Sequence, residues 1–226
     1  MEVLSKLNFS YSAEQEVKRV GETLEHKEWF EKNGYKWKNF SYPTGIEVDK
    51  VDSGKVKYSA EEIGKFINNE YVEENYLEVI NFLQAEWGRV VSEFRIKLKN
   101  CSLLLQDKYN VILTRYGTGG SYHPPDTVQL NIRFLNRPKI EVFKTLIHEV
   151  IHLAIHDSII KYQVTQWQKE RIVDLTLATF FPDMKRMQRV PDGFDVSMID
   201  EIFKLNYPNL EEIIKKVGGL NFMDKS

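Results

Sequence analysis

The segment from about residue 139 to residue 157 constrains the fold more than any other part of the chain. If this segment is a helix, apolar side chains cover nearly all of its faces. They are Val142, Phe143, Leu146, Ile147, Val150, Ile151, Leu153, Ala154 and Ile155. A helix that is apolar on all sides has to be covered by other elements of the fold. Asn136-Arg137-Pro138 precedes it, and proline is tolerated in the first turn of a helix. The sequence therefore predicts a buried central helix.

The segment directly before this helix gives the clearest strand signal. Apolar residues stand at every second position, at Val128, Leu130, Ile132 and Phe134. They alternate with polar residues from Thr127 onward, which is the period of a strand with one buried face. Residues 102–106 and 110–116 are also predicted as strands. The glycine-rich segment 117–120 is predicted as a plain turn, because neither a Gly-Lys-Ser/Thr motif nor a helix follows it to hold a phosphate.

Helices are predicted on both sides of these strands. Capping boxes that begin helices stand at Ser12, Ser59 and Thr165. A long amphipathic helix fits residues 74–98, residues 35–58 are mostly loop, and two short helices close the chain. We expect a mostly helical N-terminal region over residues 1–98 and a catalytic core over residues 99–226.

Charge and cysteine content exclude several classes of protein. The 226 residues include 31 Lys and Arg against 33 Asp and Glu, and the formal net charge is −2. This balance gives no general attraction to nucleic acid or to an anionic membrane. The single Cys101 excludes an intramolecular disulfide and a multi-thiolate zinc site. No apolar run reaches the ~20 residues of a membrane span, and no secretory signal is recognisable, so we expect a cytoplasmic protein.

The buried helix carries the motif His148-Glu149-Val150-Ile151-His152. Positions i and i+4 lie one turn apart on the same face, so both imidazoles can reach one ion through Zn–N bonds of ~2.0–2.1 Å. Glu149 is rotated away from them by about 100° and can reach a metal-bound water as a general base. Two neighbouring polar rings are costly in a buried helix unless something satisfies them. A metal ion would do so.

The third ligand is predicted on the following helix. Glu170 and Asp174 share one face there, and Glu170 follows His152 by 18 positions. Two histidines and one glutamate form the open ligand set of a catalytic zinc, and Asp174 can accept the spare N–H of a ligand histidine. The pair Glu170 and Asp174 also fits a solvated helix face. His156 is excluded as a ligand, because it lies ~12 Å along the helix from His148.

This constellation resembles the gluzincin branch of zinc metallopeptidases, most closely its small soluble members. The resemblance covers roughly residues 100–182, and one residue departs from it, since Lys169 stands where the family often has Asn. It implies one zinc ion held by His148, His152 and Glu170, with Glu149 as the base and Asp174 beside His148. It also implies an α+β, zincin-like fold in which a small mixed sheet packs on a buried active-site helix, followed by a glutamate helix.

The resemblance also implies how a peptide binds. In such enzymes an edge strand runs antiparallel to the substrate, and the segment 127–133 stands at the matching place, so Gln129 and Asn131 are predicted to contact substrate. The segment fits an ordinary half-buried strand as well. Tyr162 is the first candidate for stabilising the oxyanion, and Tyr116, Tyr122 and His123 are alternatives. Cys101 is expected to be a buried apolar residue rather than an inhibitory zinc ligand.

The function predicted from these residues is zinc-dependent hydrolysis of peptide or protein substrates. Two alternatives remain open at this point. One is a metal-dependent amidohydrolase that acts on a non-peptide amide, and the other is a zinc-stabilised binding module without turnover. We also expect residues 1–98 or 182–226 to cover part of the cleft, since neither stretch has a catalytic assignment.

Overall fold

A four-stranded mixed sheet and nine α-helices make up the described part of the chain, residues 5–132, 138–185, 187–188 and 190–223, in this computed structural model. The helices are Ala13–Glu25 (α1), Lys27–Lys32 (α2), Val48–Asp52 (α3), Ala60–Glu70 (α4), Glu74–Asn100 (α5), Lys139–Lys161 (α6), Gln166–Phe180 (α7), Ser197–Asn206 (α8) and Leu210–Met223 (α9). The strands are Lys6–Ser10 (β1), Lys108–Thr114 (β2), Gly120–His123 (β3) and Thr127–Asn131 (β4). The predicted α+β fold is confirmed.

The sheet has the strand order β1-β2-β4-β3. β2 pairs in parallel with both β1 and β4, while β3 and β4 are antiparallel, with Tyr122 opposite Val128. The strand predicted from the alternating pattern is therefore an inner strand, and the prediction that it forms the edge is wrong. β3 occupies that edge instead. The last residues of the predicted strand, Arg133 and Phe134, lie outside the described residues.

The structure corrects two further strand predictions. Residues 102–106 form no strand, because the chain leaves α5 through Ser102 at a positive φ of 61° and Leu104 remains 78 % exposed. β1, which no local pattern predicted, pairs with β2 across about a hundred residues of chain.

α6 lies at the centre of the fold, as predicted. It contacts β3 and β4 on the sheet side and α5, α7 and α9 elsewhere, and the main apolar cluster surrounds it. A smaller apolar cluster combines Tyr116 with six residues from the N-terminal region. These six are Val20, Trp37, Tyr42, Ile46, Ile63 and Ile67. α5 belongs to the main cluster, and the division of the chain at residue 98 stays a prediction.

Local capping explains where the helices begin. The Ser59 N–H donates to Glu62 Oε2 and the Glu62 N–H donates back to Ser59 Oγ, which is the predicted capping box of α4. Thr165 and Gln168 begin α7 in the same way. Within the described ranges, no helix is both long and apolar enough to cross a membrane.

Candidate metal centre

Three side chains from α6 and α7 converge on one point, and this convergence was predicted. His148 Nε2 lies 3.0 Å from His152 Nε2, and each of these nitrogens lies 3.2 Å from Glu170 Oε2. Ligands bonded to a tetrahedral zinc at ~2.0–2.1 Å are roughly 3.3 Å apart. The three atoms are therefore spaced like three corners of such a tetrahedron. All three residues are buried, with 3 %, 2 % and 6 % of their surface exposed.

The local chain geometry accounts for this arrangement. His148 and His152 face the same way because they are one helical turn apart. A four-residue turn joins α6 to α7, and Gln163 in this turn adopts a positive φ of 53°. α7 then packs against α6, and Glu170 enters on its second turn.

Hydrogen bonding alone does not satisfy the three atoms. Two imidazole nitrogens in contact need one donor and one acceptor, yet both also face the same carboxylate oxygen, which only accepts. If both rings carry a proton at Nε2, the two N–H groups confront each other. If only one does, the other nitrogen directs its lone pair at the carboxylate. A divalent cation resolves this conflict because all three atoms can direct lone pairs at it, so the donor set fits zinc.

The pKa values of the two histidines shift in opposite directions. Burial disfavours the charged form of His148, but the carboxylates of Asp174 and Glu170 outweigh burial and raise the pKa of His148 to about 10. Burial lowers the pKa of His152 to about 4, and Glu170 only partly opposes this shift. The pKa of Glu170 lies well below its ordinary value, because the two histidines outweigh the effect of its burial.

Asp174 lies beside the ring of His148, the position that the resemblance implied. Its Oδ1 is 3.4 Å from His148 Nδ1, and it is buried. A carboxylate at Nδ1 favours the tautomer that leaves Nε2 free for a metal. Gln166 supports the third ligand, because its Nε2 donates to Glu170 Oε1 at 2.8 Å and to Tyr35 Oη at 3.0 Å.

Glu149 lies next to these ligands and lines the same cavity. The edge strand β3 approaches it closely at Gly120, where a Cβ atom would be 2.7 Å from Glu149 Oε1 and 2.5 Å from Thr145 Cγ2. A Cβ atom at this position would force one of these side chains to move, so glycine allows the close approach. The glycine segment connects β2 to β3, with Gly117 bridged to Ser41 and Gly120 already in β3, and it brings the sheet edge close to Glu149.

A cavity of about 770 Å³ opens onto the centre. α6 and β3 form one side of it, and N-terminal side chains, among them Arg19, Trp29 and Tyr35, form another. The ring of Tyr122 stacks on the ring of His152, with centroids 4.8 Å apart and an interplanar angle of 8°. Tyr122 was a predicted candidate. Residues 1–98 were expected to cover part of the cleft, but no local pattern singled out the individual residues of this wall.

Several predicted site residues lie elsewhere. Tyr162 ends α6, and its hydroxyl donates to Glu211 Oε1 at 2.9 Å instead of entering the cavity. Gln129 and Asn131 are buried on the inner strand β4, where Asn131 Nδ2 donates to the carbonyl of Gly117 and so supports the glycine turn. Their role in substrate binding stays a prediction.

The other candidate residues also differ in whether they line the cavity. Tyr116 donates to Glu70 Oε2 at 2.8 Å, away from the cavity, whereas His123 and His156 line it. Cys101 is buried at the end of α5, apart from the metal centre. Gln188, which the sequence did not single out, reaches the centre from the segment between α7 and α8.

No protein-family model, no curated protein and no solved structure matches this chain. The functional assignment therefore rests on the geometry of the centre.

Proposed function

We propose that this protein is a zinc-dependent peptidase. The observation that carries the proposal is the trio of His148, His152 and Glu170 at tetrahedral spacing, with Glu149 beside it at the wall of an open cavity. A purely structural metal site has no use for a carboxylate base at its opening. This combination favours hydrolysis over a stabilising role alone.

The roles of the residues follow from their positions. Zinc bound by such a set polarises a carbonyl group and lowers the pKa of water towards ~7. Glu149 takes the proton of the attacking water on a carboxylate oxygen and passes it to the leaving amine. Asp174 holds the ring of His148, and Gln166 holds the carboxylate of Glu170.

The position of β3 favours a peptide over a small amide as substrate. β3 ends the sheet, and its residues Gly120–His123 line the cavity. An edge strand offers unpaired main-chain groups, which bind an extended peptide independently of its side chains. A peptide lying along this edge would pass Glu149, because Gly120 is in contact with it.

The test combines metal analysis with peptide cleavage in the Glu149→Gln variant. We expect one zinc per chain in both proteins and a loss of cleavage of about 10²–10⁴-fold, the usual contribution of a general base. Elemental analysis of the purified protein and mass spectrometry of a digested peptide library provide the two measurements. Glu141→Gln is the matched control, because Glu141 lies on the same helix but pairs with Lys144. This control should keep both zinc and cleavage.

Three results would contradict the proposal. Absence of zinc from the wild-type protein would remove the metal centre. Zinc without cleavage of any library peptide would leave a metal-stabilised binding module, or an enzyme for non-peptide amides. Cleavage at the wild-type rate by Glu149→Gln would remove the proposed base.

A further inference from the structure

The side chain of Gln188 reaches the metal centre and lines the cavity that opens onto it. Its Nε2 lies 2.7 Å from Glu170 Oε2 and 3.1 Å from His148 Nε2. The second distance falls within the spacings of 3.0–3.2 Å among the three predicted ligands, and the first is shorter. The terminal amide of Gln188 therefore contacts two of the three predicted ligand atoms.

The backbone fixes this position. The N–H of Gln188 donates to Asp174 Oδ2 at 2.6 Å, and Met187 Sδ lies 3.3 Å from Arg171 Nη1. Asp174 thus contacts two parts of the centre, the ring of His148 through one oxygen and the backbone of Gln188 through the other. The segment that carries Gln188 is consequently held against α7 at two neighbouring residues.

The two glutamines that contact Glu170 differ in what they face. Gln166 approaches Oε1 on the outer side of the carboxylate and continues to Tyr35. Gln188 approaches Oε2, the oxygen directed at the histidines, and also faces a ring nitrogen. Gln166 therefore supports the ligand from outside, whereas Gln188 lies among the ligand atoms.

We propose that Gln188 is the fourth protein ligand of the metal and binds it through Oε1. The two ends of an amide group are nearly equal in size, so a half-turn about Cγ–Cδ exchanges the nitrogen for an oxygen with lone pairs. Without a cation the nitrogen donates to the carboxylate of Glu170, and with a cation bound the oxygen would face it. This inference rests on the metal centre of the proposed function and adds a residue to it.

A fourth protein ligand changes how the centre works. A closed four-coordinate site is typical of structural zinc, whereas a catalytic site leaves one position to water or substrate. A neutral amide oxygen is a weaker ligand than a carboxylate, so a substrate carbonyl or a water can replace it. Gln188 thus keeps the centre closed at rest, and the substrate opens it.

Cobalt substitution tests the proposal without relying on turnover. The visible absorption of bound Co²⁺ reports the number and type of its ligands, so Gln188→Ala should change the spectrum of the cobalt protein. Zinc affinity, measured by competition with a chromophoric chelator, should fall by roughly 10-fold or more in this variant. Gln188→Glu replaces the amide by a carboxylate and should bind zinc at least as tightly as the wild type. Gln166→Ala is the comparison variant, since it also removes an amide from Glu170 but from the outer oxygen Oε1, and its cobalt spectrum should change less than that of Gln188→Ala.

The outcomes separate this proposal from the function beneath it. An unchanged cobalt spectrum and unchanged zinc affinity in Gln188→Ala, with circular dichroism showing an intact fold, would overturn the fourth ligand and leave the three-ligand centre standing. Failure of the wild-type protein to bind either metal would overturn both proposals. A spectral change in Gln166→Ala equal to that in Gln188→Ala would also count against Gln188, because support of Glu170 alone would then explain it.

Discussion

Two groups of buried polar side chains lie close to the turn between β2 and β3, and they are built differently. One is the metal centre of His148, His152 and Glu170. The other, which we call the Glu16 cluster, consists of Glu16, Arg19, Tyr76 and Arg115. The turn contacts both, because Thr118 accepts a hydrogen bond from Arg19 while Gly120 packs against Glu149.

In the Glu16 cluster one carboxylate oxygen accepts two hydrogen bonds, while Glu16 Oε2, Arg19 Nε and Arg115 Nε have no hydrogen-bond partner among the residues that the structure describes. Glu16 Oε1 accepts from the Tyr76 hydroxyl at 2.5 Å and from the Arg115 N–H at 2.7 Å. Arg115 in turn donates to the carbonyl of Glu70. The cluster joins α1, α4 and α5 to the end of β2. The metal centre instead directs three acceptor atoms at one point. Buried polar groups that pair with each other stabilise a fold, whereas those whose lone pairs converge leave a place for a cation.

The largest expected difference between the metal centre and the Glu16 cluster is the effect of a substitution on zinc affinity. Glu170→Gln should weaken zinc binding by more than the roughly 10–100-fold that loss of an outer supporting group costs, since it removes a charged ligand. Glu16→Gln, the same change in the other cluster, should leave zinc affinity unaltered. Isothermal titration calorimetry measures both. Equal weakening in the two variants would refute the distinction drawn here.

The second expected effect is a dependence of stability on pH that arises from Glu16. Burial raises the pKa of Glu16 from its ordinary value of 4.5 to about 7, although its contacts with Tyr76 and Arg115 oppose the rise. The folded protein therefore holds a proton on Glu16 that the unfolded chain releases between these two pH values. The resulting stabilisation is complete below about pH 4.5 and is lost as the pH rises through about 7.

Glu16→Gln stays neutral and should not lose this stabilisation. Relative to the wild type, its free energy of unfolding should rise with pH by up to about 3 kcal/mol. Urea denaturation at a series of pH values provides the measurement. Glu25→Gln, on the same helix but exposed, is the control and should show no such trend. A constant difference between Glu16→Gln and the wild type at all pH values would contradict the assignment.

A smaller effect is expected from the residue beside the ligands. Asp174→Asn removes the charge next to His148 Nδ1 and should weaken zinc binding by about 10–100-fold without loss of the fold. Asp157→Asn is the control, because Asp157 is exposed on the same helix as His148. If zinc binds Asp174→Asn as tightly as the wild type, Asp174 does not orient the ring.

The smallest effect is expected at Tyr162. Its hydroxyl contacts Glu211 outside the cavity, so Tyr162→Phe should leave peptide cleavage unchanged and lower stability by no more than about 0.5–1.5 kcal/mol. Steady-state cleavage rates and thermal melts measure the two quantities. A large fall in kcat with zinc retained would restore Tyr162 as the group that stabilises the oxyanion.

Local sequence patterns predicted the elements that carry the centre. The apolar period of α6, the i, i+4 histidines and the capping box at Thr165 all act within a few residues of chain, and the structure confirms them. The alternation in β4 also predicted a strand correctly. The alternating pattern did not predict which strands lie on either side of β4, because inner strands and edge strands both have a period of two.

The residues that sequence reasoning missed come from distant parts of the chain. Arg19, Trp29 and Tyr35 reach the cavity from the N-terminal region, and Gln188 reaches the centre from the segment after α7. A single glutamine or tyrosine in a loop has no period and no partner at fixed spacing, so no local signal marks it.

The sequence by itself determined that two imidazoles would share one face of a buried helix, because helical geometry fixes the positions of residues four apart. It also offered Glu170 and Asp174 as a pair on the next helix. Tertiary structure decided which strand became the edge, which wall closed the cavity and which amide lay over the ligands. These contacts depend on how whole elements pack, and packing between distant segments is set by the total burial of apolar surface rather than by any short stretch of sequence.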